Sequence, residues 1–112
     1  MEENETEKAK AFIMVEIIEY MPHAVISKTL FKKPTGSISI TAIDSGESLV
    51  QKTSPFDIFI QIIEGKAEIL IDNQSHLLET GQSIILPAHI PNAVKANVRF
   101  KMISTIIKSG YE

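Results

Sequence analysis

Imidazoles, phenols, carboxylates and lysine amines are the reactive groups this chain offers, because its 112 residues include three His, two Tyr and no Cys. The lack of cysteine excludes disulfides, thiolate nucleophiles and zinc-ribbon sites. The histidines are scattered: His23 precedes the first strand-like run, His76 follows Asp72-Asn73, and His89 lies within Pro87-Ala88-His89-Ile90-Pro91. A metal centre needs lone pairs aimed at one point. His23 and His76 are expected on solvated turns, which leaves His89 as the imidazole with most scope for a functional role. An acid–base site would pair a His and an Asp with Tyr or Lys inside the fold, but Tyr20 and Tyr111 stand near the ends of the sequence.

Charge and length narrow the classes further. The formal net charge of -3, with Lys and Arg dispersed along the chain, provides no basic stripe for a phosphate backbone, so nucleic acid is not an expected partner. The start of the sequence is acidic, and Glu16 and Glu19 interrupt the apolar run Phe12 to Ile18. That pattern fits neither a signal peptide nor a membrane span, and the expected location is the cytoplasm. With 44% hydrophobic and 22% charged residues, the composition is that of one globular domain over 1–112. Folding at this size buries roughly two thirds of the unfolded chain's surface, so an oligomer interface is an expected further source of stability.

Any site must be positioned by strands. From Val25 onward, short runs of Ile, Val, Thr and Phe alternate with turn residues, which is the pattern of an all-β sandwich or barrel. Strands are expected over 25–31, 37–43, 49–52, 58–63, 67–71, 75–78, 83–86, 93–96 and 100–107, with neighbours able to merge. Pro34-Thr35-Gly36, Asp44-Ser45-Gly46 and Thr80-Gly81 supply turn dihedrals, while Pro55, Pro87 and Pro91 cannot donate to a central ladder. Asp72-Asn73 predicts a tight hairpin loop, and Gly65 predicts a break between two strands. In Ser37-Ile38-Ser39-Ile40-Thr41-Ala42-Ile43 the alternation sends Ile38, Ile40 and Ala42 to one face and the three hydroxyls to the other. Residues 1–20 form an extension to the barrel of 21–109, with a helical turn or short helix expected over Phe12 to Ile18.

The order of turns and strands from Gly46 to Ala96 resembles the cupin superfamily of small double-stranded β-helix, or jelly-roll, barrels. The first motif of that family runs Gly, five residues, His-x-His, three or four residues, Glu, six residues, Gly. Here Gly46 and Gly65 hold that spacing, and Pro55-Phe56-Asp57-Ile58 through Gly65 looks like the strand and turn that follow the histidines. In the second motif, Gly81 and Pro87 match, but His89 occupies the usual Gly and Asn92 the usual His. Ser27 to Phe31 with the Pro55-Phe56-Asp57 turn is similar to small bacterial single-domain cupins. The resemblance implies an all-β cupin barrel whose metal-ligand positions hold Lys52, Ser54, Ile58 and Asn92.

A cation, a hydroxyl, a hydrocarbon and an amide are a poor donor set for a divalent ion, and the Lys52 ammonium would repel one. No metal and no other cofactor is therefore expected. Asp57 adjoins the Glu position, but strand alternation turns it and Gln61 away from the Ile58 face. The matched positions imply instead a ligand-binding lumen or mouth formed by Lys52, Ser54, Asn92 and His89, suited to a small anionic or carbonyl-bearing ligand. The competing reading has Lys52 reaching solvent while Ser54 and Asn92 satisfy loop backbone groups. Ile58, Ile60 and Ile62 would fill the interior beside them.

The run Phe100 to Ile107 carries apolar residues on both faces, so its outer side must be covered by residues 12–18 or by a second subunit. Small cupins commonly pair through such faces, which implies a homodimer. The reading that follows is a metal-independent accessory or small-molecule-binding cupin in which no residue requires catalysis. Its alternatives are a small isomerase, lyase or dioxygenase-like enzyme with an atypical site using Lys52, Asp57 or His89, and a dimeric scaffold.

Overall fold

The computed structural model describes residues 5–51 and 53–110, with Gln51 described in its main chain alone. The β-branched runs form β1 (Val25–Lys33), β2 (Gly36–Ile43), β3 (Ser48–Gln51), β4 (Ile58–Ile71), β5 (Gln74–Glu79), β6 (Ser83–Leu86), β7 (Asn92–Lys95) and β8 (Phe100–Ile107). All pairings are antiparallel. One sheet runs β1-β2-β8-β4-β6 and the other β3-β7-β4-β5. This is an all-β, curled jelly-roll architecture, as the sequence pattern predicts.

The two runs expected on either side of Gly65 join into the single strand β4, which belongs to both sheets. Gly65 has φ +89°, and a Cβ there would collide with the Arg99 carbonyl oxygen and Phe100 Cβ. Glycine thus bends the strand, where the sequence suggested that it would end it. The register against β8 shifts between Ile62 and Glu64 as the strand turns. At the predicted hairpin, Asp72 and Asn73 adopt φ 50° and 68°, the left-handed pair that a two-residue loop requires.

The core lies between the sheets. Ile58, Ile60 and Ile62 of β4 meet Ile69, Leu86, Val94, Phe100 and Met102 there. Each fully buried Ile or Leu removes enough apolar surface from water to contribute about 1.5–3 kcal/mol. The alternation of β2 is oriented unusually. Its register with Phe100, Met102 and Ser104 puts Ile43, Thr41 and Ser39 on the inner face, while Ile38, Ile40 and Ala42 face outward into a second cluster with Leu30 and Ile26.

Residues 14–20 cover that second cluster, packing Met14, Ile17, Ile18 and Tyr20 onto it. The helical turn expected over Phe12 to Ile18 is a single turn of 3-10 helix, Met14–Glu16. A uniformly apolar run has no one-sided stripe to stabilise a longer helix, and here it buries Ile18 while leaving Phe12 and Ile13 exposed. The strap is tied down along its length. Thr6 N–H donates to the Leu30 carbonyl (2.9 Å), Lys32 N–H to the Glu5 carboxylate (2.7 Å), and Lys101 Nζ to the Val15 carbonyl (2.5 Å).

Candidate functional site

Of the four sequence-predicted binding residues, Lys52 lies outside the described residues. Ser54 and His89 sit where the β3–β4 and β6–β7 connections meet, and Asn92 opens β7 three residues later, so the three serve different ends. Ser54 is a structural residue. Its Oγ accepts the Phe56 N–H (3.0 Å), and its carbonyl accepts the His89 N–H (2.7 Å). This matches the competing reading, in which Ser54 satisfies loop backbone groups. His89 supplies that main-chain tie from the left-handed region, φ 67°, with its side chain exposed. Asp57 adds a parallel tie, its Oδ1 accepting the Ala88 N–H (2.7 Å).

Asn92 is of another kind. It opens β7 opposite Ile71 and Gln51, on the face that carries Val94 and Ala96 into the core. It is 7% exposed, and its Oδ1 is buried with no hydrogen-bond partner among the described residues. Removing an acceptor from water without replacing its hydrogen bond costs about 1–3 kcal/mol. The side chain is therefore an unused acceptor on the inner wall, in place of an aliphatic residue that the site could have held.

Hydroxyl groups share the inner face of the facing sheet. Ser39 and Ser104 are paired across β2 and β8, and Thr41 lies opposite Met102. Ser27 and Thr41 hydroxyls are 2.9 Å apart. The alternation in Ser37 to Ile43 was the available sequence signal for this polar sector, but alternation does not say which face is inside. His76 was expected on a solvated turn. It lies instead within β5, half-buried and paired with Ile69, on the core side of the sheet. His23 is exposed, as expected, and its N–H binds Asp44 Oδ2 (2.8 Å). Hydrogen bonds from the His23 and Ser45 backbone hold the Asp44 carboxyl below its usual range.

A second polar cluster, on the outer face, was not legible in the sequence. Tyr20 OH donates to Glu64 Oε2 (2.6 Å), and Lys101 Nζ lies 4.0 Å from the same oxygen. The Arg99 guanidinium stacks 4.6 Å from the Tyr20 ring centroid. Burial, then the Glu64 hydrogen bond, pushes the Tyr20 phenol above its ordinary range. Every polar group in this cluster is directed at the strap, so its role is to hold the strap in place. Among the described residues, no group of three or more His, Asp and Glu side chains is placed to hold a metal ion. No described helix is long and apolar enough to cross a membrane.

No protein-family model matches the sequence, and no curated protein matches it. Solved structures do. A conserved Streptococcus pyogenes protein of unknown function is 30% identical with a TM-score of 0.87, over 94% of this chain and 92% of the other. A cupin 2 conserved barrel domain protein from Leptotrichia buccalis is 32% identical with a TM-score of 0.83, over 87% of this chain, which spans 47% of that longer protein. A cupin superfamily protein from Desulfitobacterium hafniense is 25% identical with a TM-score of 0.85, over 91% and 94% of the two chains. The glycine and proline spacing, the eight-stranded curled sheet and these likenesses agree: the chain has the fold of small single-domain cupins.

Proposed function

We propose that this protein is a metal-independent, non-catalytic cupin that binds a small ligand at the barrel mouth and acts in the cytoplasm as an accessory module. The observation that carries the reading is the buried, unpartnered Asn92 Oδ1. A ligand donor would relieve its desolvation cost, whereas a purely structural core gains nothing from an amide there. The reading assigns the cation to Lys52, the next residue in sequence after Gln51, which pairs with Asn92. An acceptor that lacks a donor, combined with an ammonium, suits a small anion that also bears a hydroxyl or amine, such as a hydroxy acid. Ser54 and His89 shape the rim through their main-chain tie, with the His89 imidazole exposed beside it. The donor set at the cupin metal positions, Lys52, Ser54, Ile58 and Asn92, supports metal independence.

The test is a thermal-shift panel of small hydroxy acids, keto acids and neutral sugars on untagged protein whose metal content has been measured. A ligand at 100 times its Kd adds about 2.7 kcal/mol of stability. Saturable stabilisation by hydroxy acids that is absent in Asn92→Leu is the expected result. No response from any acid, or near-stoichiometric transition metal in the purified protein, overturns the reading.

A further inference from the structure

β1 is an edge strand, and the two halves of its edge differ. Toward the β1–β2 turn the chain covers the edge itself. Thr6 N–H donates to the Leu30 carbonyl (2.9 Å), the Glu5 carboxylate accepts the Lys32 N–H (2.7 Å), and a bulge between Thr29 and Phe31 interrupts the ladder. Covering segments and bulges are the devices that keep other chains off an exposed edge. The other half, Val25 to Thr29, holds an unbroken register with Ile43 to Ser39 and has neither device. We infer that this half-edge is a docking site for an extended peptide of another protein, taken up as an added strand beside β1.

The ladder defines the groups that would bind it. Asp44 N–H donates to the Ala24 carbonyl (3.1 Å), so the Ala24 carbonyl points toward β2. Main-chain groups of successive residues point to opposite sides of a strand, and bonded and non-bonded pairs alternate along an antiparallel ladder. Ile26 and Lys28 therefore bond to β2, while the N–H and C=O groups of Val25, Ser27 and Thr29 point out of the sheet. Among the described residues no hydrogen bond takes up these outward groups. They form a row of alternate donors and acceptors along a five-residue run of about 17 Å, which is the pattern that strand addition requires.

The surroundings admit a single strand and specify its chemistry. A groove of about 780 Å³ follows this half-edge, with Ile26 to Thr29 as one wall and Ile17, Ile18 and Met21 of the strap as the other. A bare peptide enters such a groove. A second copy of the chain does not, because joining two β1 edges antiparallel puts both straps on the same side of the sheet, where they meet over the joint. Side chains of the added strand alternate between the two faces. Those beside Ile26 face the apolar strap residues, and those beside Ser27 and Thr29 face hydroxyls. Two carboxylates, Glu5 and Glu19, line the groove against the one ammonium of Lys28, so its charge selects a peptide that carries Lys or Arg. The expected occupant therefore alternates apolar with small polar residues and is basic. This site is separate from the barrel mouth and does not rest on the ligand proposed there.

The probe is a phage-displayed library of random heptapeptides selected on the full chain. Enriched sequences should alternate β-branched with polar residues and contain Lys or Arg, and a fluorescein-labelled synthetic copy should bind saturably in an anisotropy titration. Ser27→Pro should weaken that binding at least tenfold with an unchanged circular dichroism spectrum, because it removes an outward N–H and leaves the bonds to β2 in place. Asn92→Leu should bind the peptide as the parent chain does, which separates this site from the barrel mouth. If the proline variant fails to fold, N-methylation of alternate peptide amides gives the same reading: one phase of methylation should weaken binding at least tenfold and the other should not. Exchange of the Ser27 and Thr29 amides should slow at least tenfold in the saturated complex. The inference is overturned by a library that yields no enriched sequence, by a peptide that binds Ser27→Pro as tightly as the parent or tolerates both phases of methylation, or by unchanged exchange at Ser27 and Thr29.

Discussion

Replacing Asn92 by leucine should make the free protein more stable, against the usual direction of core substitutions. The amide oxygen is buried without a partner, and relieving that desolvation is worth about 1–3 kcal/mol. Leucine is somewhat bulkier than asparagine, and the added volume beside Ile71 and Val94 costs back up to about 1 kcal/mol through overpacking. The net gain is about 0.5–2 kcal/mol. At this chain length that raises Tm by roughly 2–8 °C. The assay is urea denaturation followed by fluorescence-independent far-UV circular dichroism, since the chain has no Trp, with a thermal scan alongside. The midpoint should rise while the denaturant slope stays constant, which would locate the effect in the folded state's stability. A lower midpoint at constant slope would mean that Asn92 holds the fold together, and the argument that its acceptor is kept for a ligand would fail.

Three further substitutions test the framework. Gly65→Ala should cost more than about 3 kcal/mol or prevent folding, since its Cβ collides with backbone at a positive φ; soluble protein with near-native Tm would refute the account of the β4 bend. Lys101→Met should remove about 1–3 kcal/mol by leaving the Val15 carbonyl without its donor, and limited proteolysis should then cut within residues 12–20; unchanged cleavage would show that the strap is held otherwise. Tyr20→Phe should lower stability at neutral pH by about 0.5–1 kcal/mol, the net worth of one half-buried hydrogen bond. Because the fold raises the Tyr20 phenol above its ordinary value, its contribution is complete below pH ~10 and is lost as pH rises from there through the folded value. The variant's alkaline stability profile should therefore be flatter above pH 10, and parallel profiles would contradict the assignment.

Local chemistry made most of the fold readable. Alternation, β-branching and the turn residues at Pro34 to Gly36, Asp72-Asn73 and Gly81 are short-range signals, and they located every strand. Gly65 misled because the same freedom at φ > 0 allows a chain to end a strand or to bend it. The distinction depends on Arg99 and Phe100, more than thirty residues away. The site was less readable for a related reason. The cupin resemblance implied a binding lumen or mouth with Ser54 and Asn92, but only the fold shows that Ser54 Oγ accepts a loop N–H while Asn92 Oδ1 has no partner among the described residues. Likewise, the apolar side of β2 could be identified from sequence, whereas its outward orientation depends on the strap that covers it.

The passage of β4 through both sheets has a consequence for how the molecule opens. This one strand pairs with β5, β6, β7 and β8, so its central amides become exposed only when both sheets separate. Hydrogen exchange there should report the global unfolding free energy. The strap and β1 lie at the other extreme: β1 pairs with β2 alone among the strands, and peeling it with the strap leaves β4 intact. The protein should therefore exchange in two tiers, a slow unit centred on β4 and a faster one at the β1 edge. In folding, the β1–β2 and β4–β5 hairpins, closed by the two-residue loops Pro34-Thr35 and Asp72-Asn73, are expected to form early, because short loops cost least to close.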